Sequence, residues 1–250
     1  MAVNRPRVTI VIPFYNDPYV TEAVDSALAQ TYSNTEIIVV DDGSTQHADK
    51  LRQYDGRVHY LGKSNGGTAS ALNHGFRHAS GDYIAWLSSD DRFYPEKIER
   101  QLAGMERCGA WISHTGFDQI DAGGKLTSLA VMPPSNDKWQ FYRAFQNSNP
   151  VNGCTVMMSK SLYGHIGAFD ESLPFTHDLD YWFRVLLAGI PFPLVAETLS
   201  AYRWHDSMGT LRSRDAVERE AKQTFAKYAK RWQIFTAKLG MAQSAVGGTS

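Results

Sequence analysis

The stretch VTIVIPFYND, residues 8–17, decides how this chain begins to fold. Its β-branched run, residues 8–12, ends at Pro13, and apolar residues then recur at helical spacing between Val20 and Leu28. β-Branched runs favour strands, whereas a period near 3.6 residues favours an amphipathic helix. The stretch therefore predicts a strand, a polar loop and a helix, in that order.

The same alternation continues along the chain from this stretch. Predicted strands cover residues 36–40, 58–61 and 83–87, and predicted helices cover residues 68–79 and 95–108. Strands that alternate with helices usually pair in parallel, because each helix carries the chain back across the sheet. The predicted fold class is α/β, with a doubly wound, mostly parallel sheet flanked by helices.

Beyond residue 110 the alternation becomes irregular. Pairs of glycines and of prolines interrupt the chain there, and such pairs are typical of turns and loops. The elements predicted in this half are a loop-rich segment 116–136, a short helix 139–145, a helix 178–187, one or two strands in 192–202 broken at Glu197, and an amphipathic helix 216–239.

Composition and charge exclude several classes of protein. The 250 residues include 25 Lys and Arg against 26 Asp and Glu, and this net charge of −1 gives no field that would recruit nucleic acid. The cysteines, Cys108 and Cys154, lack the spacing of a zinc site or a disulfide framework, which favours a reducing compartment. No apolar segment has the length of a signal-peptide core or a membrane span. A cytoplasmic protein without a nucleic-acid partner is predicted.

Polar residues follow several of the predicted strands. Tyr15 and Asn16 follow the first strand, Asp41 and Asp42 end the second, and an acidic pair at 90–91 follows the strand at 83–87. Ligands of open α/β sheets bind at the carboxyl ends of the strands. Each acidic pair could simply form a turn, but acids crowded at one edge are also the usual setting for Mg²⁺ or Mn²⁺ bound to phosphate.

The chain resembles an inverting glycosyltransferase of family 2, with the GT-A fold, over residues 8–207. Each matching motif is short, but their order and spacing together are specific. The motifs are VIPFYN at 11–16, VDDGS at 40–44, NGG at 65–67 with Asn73, GDYI at 81–84, SSDD at 88–91 and GAFDE at 167–171.

The resemblance implies one glycosyltransferase domain over residues 1–240, with a flexible tail at 240–250. Within it, residues 1–110 would bind the nucleotide, residues 111–211 would shape the acceptor side, and a C-terminal helix would cover 212–239. The donor would be a nucleotide-diphosphate sugar, with UDP favoured, carrying a hexose or N-acetylhexosamine. The acceptor would be a hydroxyl of a glycan or lipid-linked glycan in bacterial-type cell-surface polysaccharide synthesis. The oligomeric state is not predicted.

The nucleotide-binding residues implied by the resemblance are Pro13, Tyr15, Asp42, Gly67 and Asp90. Pro13 and Tyr15 would flank the base, with Tyr15 stacked on it, and Asp42 would accept a hydrogen bond from it. The alternative for Tyr15 is ordinary packing in the core.

The resemblance also implies a metal, Mn²⁺ or Mg²⁺, bound by Asp90, Asp91 and His205. Which of the adjacent aspartates ligates the metal is left open. Many relatives carry a further aspartate where this chain has Ser88, so the acidic motif is present in a reduced form.

Asp178 is the predicted catalytic base, because it matches the second acid of the family's Glu-Asp helix start. An acceptor hydroxyl needs a carboxylate to take its proton during attack. The alternative is that Asp178 caps its helix and that Asp180 interacts with the helix dipole. His177 and Asn152 are weaker candidates for contact with the donor sugar or the acceptor, and His177 could equally be an exposed spectator.

Alternatives to this assignment remain. A catalytically inactive nucleotide-sugar or glycan-binding module would keep the fold and lose the base. A sugar-phosphate nucleotidyltransferase or a dinucleotide-binding dehydrogenase would need a glycine-rich loop after the first strand, where this chain has residues 13–17, PFYND. The C-terminal helix could either pack its aromatic residues on the core or contact an anionic membrane peripherally.

Overall fold

The computed structural model describes residues 5–133, 138–206 and 208–246. The strands are β1 (Val8–Phe14), β2 (Thr35–Asp41), β3 (His59–Gly62), β4 (Tyr83–Trp86), β5 (Arg92–Phe93), β6 (Ile112–Ile120), β7 (Leu126–Val131), β8 (Met157–Ser159) and β9 (Leu194–Arg203). The helices are α1 (Val20–Leu28), α2 (Gly67–His78), α3 (Lys97–Cys108), α4 (Lys138–Ala144), α5 (Lys160–Ile166), α6 (His177–Leu187), α7 (Gly209–Arg212) and α8 (Arg214–Val246), with short 3-10 helices at Ala48–Tyr54 and Gly153–Thr155.

The strands form one curled sheet in the order β3-β2-β1-β4-β8-β6-β9-β5, and β7 pairs with β6. The first four of these strands are parallel, and β6 and β9 are also parallel to each other. The predicted α/β fold with a mostly parallel sheet is therefore confirmed. Antiparallel pairs occur only where β8, β5 and β7 join, within the part of the chain that the structure describes.

A hydrophobic core covers each face of this sheet, and β1 contributes to both. Ile10 and Ile12 pack with α1 and α3, whereas Val11 faces the other way and packs with α2 and α6. This alternation follows from the period of two residues along a strand. Helix α2 approaches β1 closely at Gly75, where an added Cβ would lie 2.4 Å from a methyl group of Val11. The two cores fix the strand ends, where the functional loops begin.

The prediction of a loop-rich segment at 116–136 is wrong over most of that range. Strands β6 and β7 form a hairpin there, closed by a turn in which Asp121 accepts hydrogen bonds from the backbone N–H groups of Gly123 and Lys125. The expected break at Glu197 is a register shift within one continuous strand, since Thr115 pairs with Val195 but the next residue pairs with Thr198. Residues 196–197 bulge out of the pairing.

Helix α8 packs its aromatic residues on the core, as one of the two interpretations of its pattern predicted. Tyr228 and Trp232 are buried, and the Tyr228 ring stacks on Phe183 of α6 with 4.7 Å between centroids. The helix continues to Val246, so the tail expected at 240–250 is wrong over 240–246, where alanine, methionine and glutamine are good helix formers. Residues 247–250 lie outside the described part.

No helix in the described residues combines the length and the apolarity needed to cross a membrane.

Candidate active site

Hydrogen bonds join the loops that follow β1, β2 and β4 into one rim. Asn16, after β1, accepts hydrogen bonds from the backbone N–H groups of Thr45 (2.7 Å) and Gln46 (2.8 Å) after β2. Its neighbour Asp17 accepts a hydrogen bond from the Ser89 hydroxyl after β4, at 2.7 Å. Asn16 adopts a left-handed backbone conformation, with φ of 51°, which asparagine tolerates better than most residues. The loops at these strand ends are therefore in contact with one another.

Three donors hold the Asp42 carboxylate within this rim. It accepts hydrogen bonds from the Lys63 ammonium at 2.6 Å and from the backbone N–H groups of Gly66 and Gly67, the latter at 2.7 Å. Gly67 has φ of +85°, a conformation that glycine adopts without strain, and it begins α2. These contacts fix the carboxylate in place and shape a backbone cradle beside it.

The other residues predicted to bind the nucleotide differ in accessibility. Pro13 is buried within β1 opposite Val40, so only the surface beside it is available. The Tyr15 side chain is 53% exposed, and the alternative that it packs in the core is therefore wrong. An exposed aromatic ring directly after a central strand is available to stack on a planar ligand.

Carboxylates accumulate on the side of the rim that follows β4. Burial and the neighbouring negative charge of Asp90 both raise the pKa of Asp17 and the pKa of Asp91. Asp90 itself is half-buried, and its Oδ2 lies 3.1 Å from Nε2 of His205. Burial is the larger cause of both shifts, and the charge of Asp90 adds to it.

The predicted metal ligands are only partly brought together. Asp90 and His205 converge, but Asp91 is buried and its Oδ1 accepts a hydrogen bond from the backbone N–H of Arg203 at 2.9 Å. Among the described residues, no group of three or more His, Cys, Asp or Glu side chains is arranged to hold a metal ion. An Asp–His pair suits a divalent cation whose remaining ligands are phosphate oxygens and water.

Arg203 is a central residue of this site that the sequence analysis did not identify. Its fully buried guanidinium donates to Glu22 at 2.6 Å and to the carbonyl oxygens of Asp90, Asp121 and Ala122. An arginine carries its donors in a rigid planar fork, so it can hold several acceptors in fixed positions. Arg203 therefore ties the end of β9 to the acidic loop and to α1. The signal in the sequence was its position directly before Trp204 and His205.

Asp178 lies in the first turn of α6, two residues after the N-cap position, which Thr176 occupies. Asp178 is therefore not the N-cap residue, although its Oδ1 accepts a hydrogen bond from the first-turn N–H of Leu179. Asn149 donates a hydrogen bond to its Oδ2 at 2.7 Å. Burial raises the pKa of Asp178, and the charge of His177 and the hydrogen bonds to the carboxylate offset only part of this effect. A carboxyl with a raised pKa is better matched to general-base work near neutral pH.

Tyr202 connects Asp178 to the acidic rim. Its half-buried phenol has a raised pKa because of burial and because of the negative charges of Asp91, Asp90 and Asp178. The predicted base and the acidic pair therefore all lie near the same phenol, and the space around that phenol is the candidate cleft.

The weaker candidates, Asn152 and His177, make local structural contacts. Asn152 caps the short 3-10 helix by accepting a hydrogen bond from the Cys154 N–H at 3.1 Å. Gly153 packs against Trp86, since an added Cβ would lie 2.4 Å from the indole ring. His177 is buried, with 6% of its surface exposed, so the alternative of an exposed spectator is wrong. Burial lowers the pKa of His177, and the negative charge of Asp178 offsets part of this effect.

Beneath the acidic loop lies a buried polar layer. Cys154 is fully buried, and burial together with the charge of Asp91 raises the pKa of its thiol. Lys97 is also fully buried; desolvation lowers its pKa to about 7, and its ammonium donates to Gln101 at 2.6 Å. Gln101 in turn donates to the carbonyl oxygens of Ser113 and Thr155. This layer supports the floor of the cleft.

Comparison with known sequences assigns the family. Residues 9–166, more than half of the chain, match the family described as Glycosyl transferase family 2. The chain belongs to glycosyltransferase family 2. The resemblance inferred from the motifs at the strand ends is confirmed.

Relatives of this family 2 chain include bacterial proteins. An uncharacterized glycosyltransferase of Rickettsia typhi is 38% identical over 243 residues, which are 94% of this chain and 73% of the relative. The putative teichuronic acid biosynthesis glycosyltransferase TuaG of Bacillus subtilis is 30% identical over 248 residues, which are 90% of this chain and 96% of TuaG.

Solved structures agree on the GT-A fold of this family 2 chain. S. aureus TarS 1-349 matches with a TM-score of 0.63 and 17% identity, covering 79% of this chain and 60% of that one. The same protein in complex with UDP-GlcNAc matches with a TM-score of 0.64 and 17% identity, covering 90% and 72%. At this identity the likeness shows the fold alone.

Proposed function

We propose that this family 2 glycosyltransferase transfers a hexose or N-acetylhexosamine from a UDP-sugar to a glycan or lipid-linked glycan hydroxyl, with inversion at the anomeric carbon. One observation supports the proposal. The charges of Asp178, Asp90 and Asp91 all act on Tyr202, and Asp90 pairs with His205 at 3.1 Å, so a base and a diphosphate site would lie on two sides of this phenol.

The donor nucleotide would lie along the loops that follow β1 and β2. Tyr15, with 53% of its surface exposed, would stack on the base, and the surface beside Pro13 would face the base's other side. The Asp42 carboxylate, already held by Lys63 and Gly67, would contribute to base recognition from a fixed position. A structural relative in complex with UDP-GlcNAc supports the choice of nucleotide class.

Asp90 and His205 would hold a divalent cation, Mn²⁺ or Mg²⁺, together with the diphosphate oxygens. When bound, such an ion neutralises the negative charge that develops on the departing UDP. Asp91 has a different part in this arrangement, because its hydrogen bond to the Arg203 backbone fixes the loop that presents Asp90. A role of this proposed site in bacterial surface-polysaccharide synthesis is consistent with the relationship to TuaG.

The reaction follows from these positions. The acceptor oxygen attacks the anomeric carbon from the face opposite the diphosphate, the bond from that carbon to the UDP oxygen breaks, and UDP leaves with the electron pair. Asp178 takes the proton from the attacking hydroxyl, so its carboxylate form is the active one. Asn149 holds this carboxylate through a 2.7 Å hydrogen bond to Oδ2. Because attack and departure occur on opposite faces, an α-linked donor gives a β-linked product.

The test incubates the protein with UDP-GlcNAc, UDP-glucose or UDP-galactose, Mn²⁺ or Mg²⁺ and a panel of glycan acceptors, and measures UDP release and product stereochemistry by NMR. We expect transfer that EDTA abolishes, and a loss of about 10²–10⁴-fold for Asp178→Asn, the range of general-base catalysis. Asp90→Asn and His205→Ala should weaken metal activation.

The matched control is Asp215→Asn, which removes an exposed carboxylate at the start of α8 and should leave transfer unchanged. Binding of UDP-sugars without turnover across the whole panel would favour the inactive binding module. Transfer that persists in EDTA would contradict the proposed role of Asp90 and His205. Full activity of Asp178→Asn would contradict the assignment of the base.

A further inference from the structure

Trp204 is a large apolar side chain exposed between Tyr202 and His205. It is 48% exposed, although exposure of an indole to water is unfavourable. It lies directly before His205, whose ring reaches Asp90 at 3.1 Å. Its backbone N–H donates to the carbonyl oxygen of Ile120 at 2.7 Å, which fixes it at the end of the β6–β9 pair.

The Trp204 ring continues a row of aromatic rings that leads into the cleft. Tyr202 contacts Trp204 edge to face with 6.4 Å between centroids, and Phe117 of β6 contacts Tyr202 in the same way at 5.7 Å. Trp204 directly follows β9, and its ring lies on the same side as that of Tyr202, whereas Arg203 between them points to the opposite face, towards Glu22. Phe117 and Tyr202 are partly buried, so the row has an enclosed inner end and an exposed outer end.

We propose that Trp204, Tyr202 and Phe117 form a stacking subsite for a pyranose ring of the acceptor glycan. This inference rests on the proposed function, because it takes Asp178 as the base for the acceptor hydroxyl.

The chemistry of the row selects a sugar ring as its ligand. One face of a pyranose carries axial C–H groups that are apolar and slightly positive, and the face of an aromatic ring is slightly negative. Carbohydrate hydroxyls at the ring edge remain free to bind water or polar groups. Sites for small ligands typically combine such an apolar wall with a few polar groups, and Asp178 supplies one near the inner end of the row. A linear polyol offers no such flat apolar face.

The chain provides a matched control in Trp111, which is also 48% exposed. Trp111 precedes the first residue of β6, whereas Trp204 bonds to the last residue of the same strand. At about 3.3 Å per residue the two indoles are attached roughly 25 to 30 Å apart. Trp111→Ala therefore removes an equally exposed tryptophan far from the cleft.

The experiment is saturation-transfer-difference NMR on the full chain with UDP present. The probes are the methyl β-glycosides of glucose, galactose and N-acetylglucosamine, with ribitol as the linear comparison. We expect transfer to the axial ring protons of at least one glycoside for the wild-type protein and for Trp111→Ala. Trp204→Ala should bind that glycoside about tenfold more weakly, corresponding to about 1.4 kcal/mol, and Trp204→Phe should lie between the two.

Several results would overturn the subsite. These are no glycoside binding to the wild type, equal binding by Trp204→Ala, equal losses in Trp111→Ala and Trp204→Ala, and binding of ribitol as strong as that of the glycosides. Failure of the proposed function can be distinguished from failure of the subsite, because glycoside binding by NMR is measured without turnover. Glycoside binding that depends on Trp204 in a protein that never releases UDP would remove the transferase proposal and keep the subsite.

Discussion

The Asp178 carboxyl is held from opposite sides, by the Asn149 amide at Oδ2 and by the Leu179 backbone N–H at Oδ1. Both donors favour the charged form, whereas burial favours the neutral one. Because burial dominates, the pKa of Asp178 is raised. The acidic limb of the rate profile should therefore lie above pH 3.9, the ordinary value for aspartate.

Replacing Asn149 with Ala should move that acidic limb to still higher pH. The substitution removes a hydrogen bond that lowers the pKa of Asp178, so more of the enzyme is protonated and inactive at a given pH. The measurement is kcat/KM for transfer between pH 4 and pH 8. Asn147→Ala, two positions earlier, serves as the control. A limb that stays at the wild-type pH in Asn149→Ala would show that this hydrogen bond does not tune the base.

The residues of the site divide into those that sequence reasoning could find and those it could not. Asp42 directly follows β2 and Asp90 lies in the loop after β4, and the position of a strand end is a local property. Asp17 and Arg203 act through contacts between segments more than 70 residues apart, with Ser89 and Glu22. Asp17 has no distinguishing neighbours along the chain, and the position of Arg203 before Trp204 and His205 does not reveal its partners, so both roles required the fold.

Helix α8 is joined to α6 by a buried polar contact within an aromatic interface. Asp180 of α6 is 1% exposed and accepts hydrogen bonds from Lys227 at 2.6 Å, from Tyr228 at 2.7 Å and from Arg184 at 2.9 Å. Burial alone would raise the pKa of Asp180, but these donors lower it below its usual value. Asp180 therefore has a structural role, and the contact stabilises the folded state most above pH 4 and weakens as pH falls below it.

Replacing Asp180 with Asn should destabilise the protein by about 3 kcal/mol at pH 7, since one partner of a buried charge network is lost. The measurement is the midpoint and slope of urea unfolding. Glu218→Gln is the control, because the ion pair between Glu218 and Arg214 lies on the exposed surface of α8. That pair should contribute less than about 1 kcal/mol. Similar losses for the two variants would contradict this assignment.

Local periodicity was sufficient to predict the regular helices, but it failed to predict elements whose formation depends on tertiary contacts. The predicted helices at 68–79 and 178–187 match α2 and α6 within one residue at each end. The hairpin of β6 and β7 was missed because its glycines resemble those of a loop. Its pairing depends on partners elsewhere, since β6 lies between β8 and β9 in the sheet.

The molecule has a core on each face of one sheet, and a titratable group buried in a core makes the stability of the whole molecule depend on pH. His114 on β6 is 1% exposed, stacks on Phe141 at 5.1 Å, and has its pKa lowered to about 3 by burial. In the unfolded chain its pKa would be about 6.5. Between these values only the unfolded state binds this proton. Protonation of this histidine therefore leaves the free energy of unfolding unchanged above pH 6.5 and lowers it as pH falls towards 3.

Replacing His114 with Phe should reduce the slope of the free energy of unfolding against pH by about 1.4 kcal/mol per pH unit between pH 6 and pH 5. The aromatic contact with Phe141 is kept and the ionisable group is removed. The measurement is the free energy of unfolding from urea titrations at several pH values. His165→Gln, at an exposed position, should keep the wild-type slope. An unchanged slope in His114→Phe would assign the effect to other groups.

The burial of Cys154 under the acidic loop offers a way to time the opening of the cleft floor. Cys108 is exposed on α3, so a thiol-reactive label should attach there within the first mixing interval. Cys154 should be labelled only in molecules whose floor has transiently come apart. The delay between the first and second mass increments then measures how slowly the floor opens. A bound donor that stabilises the floor should lengthen this delay.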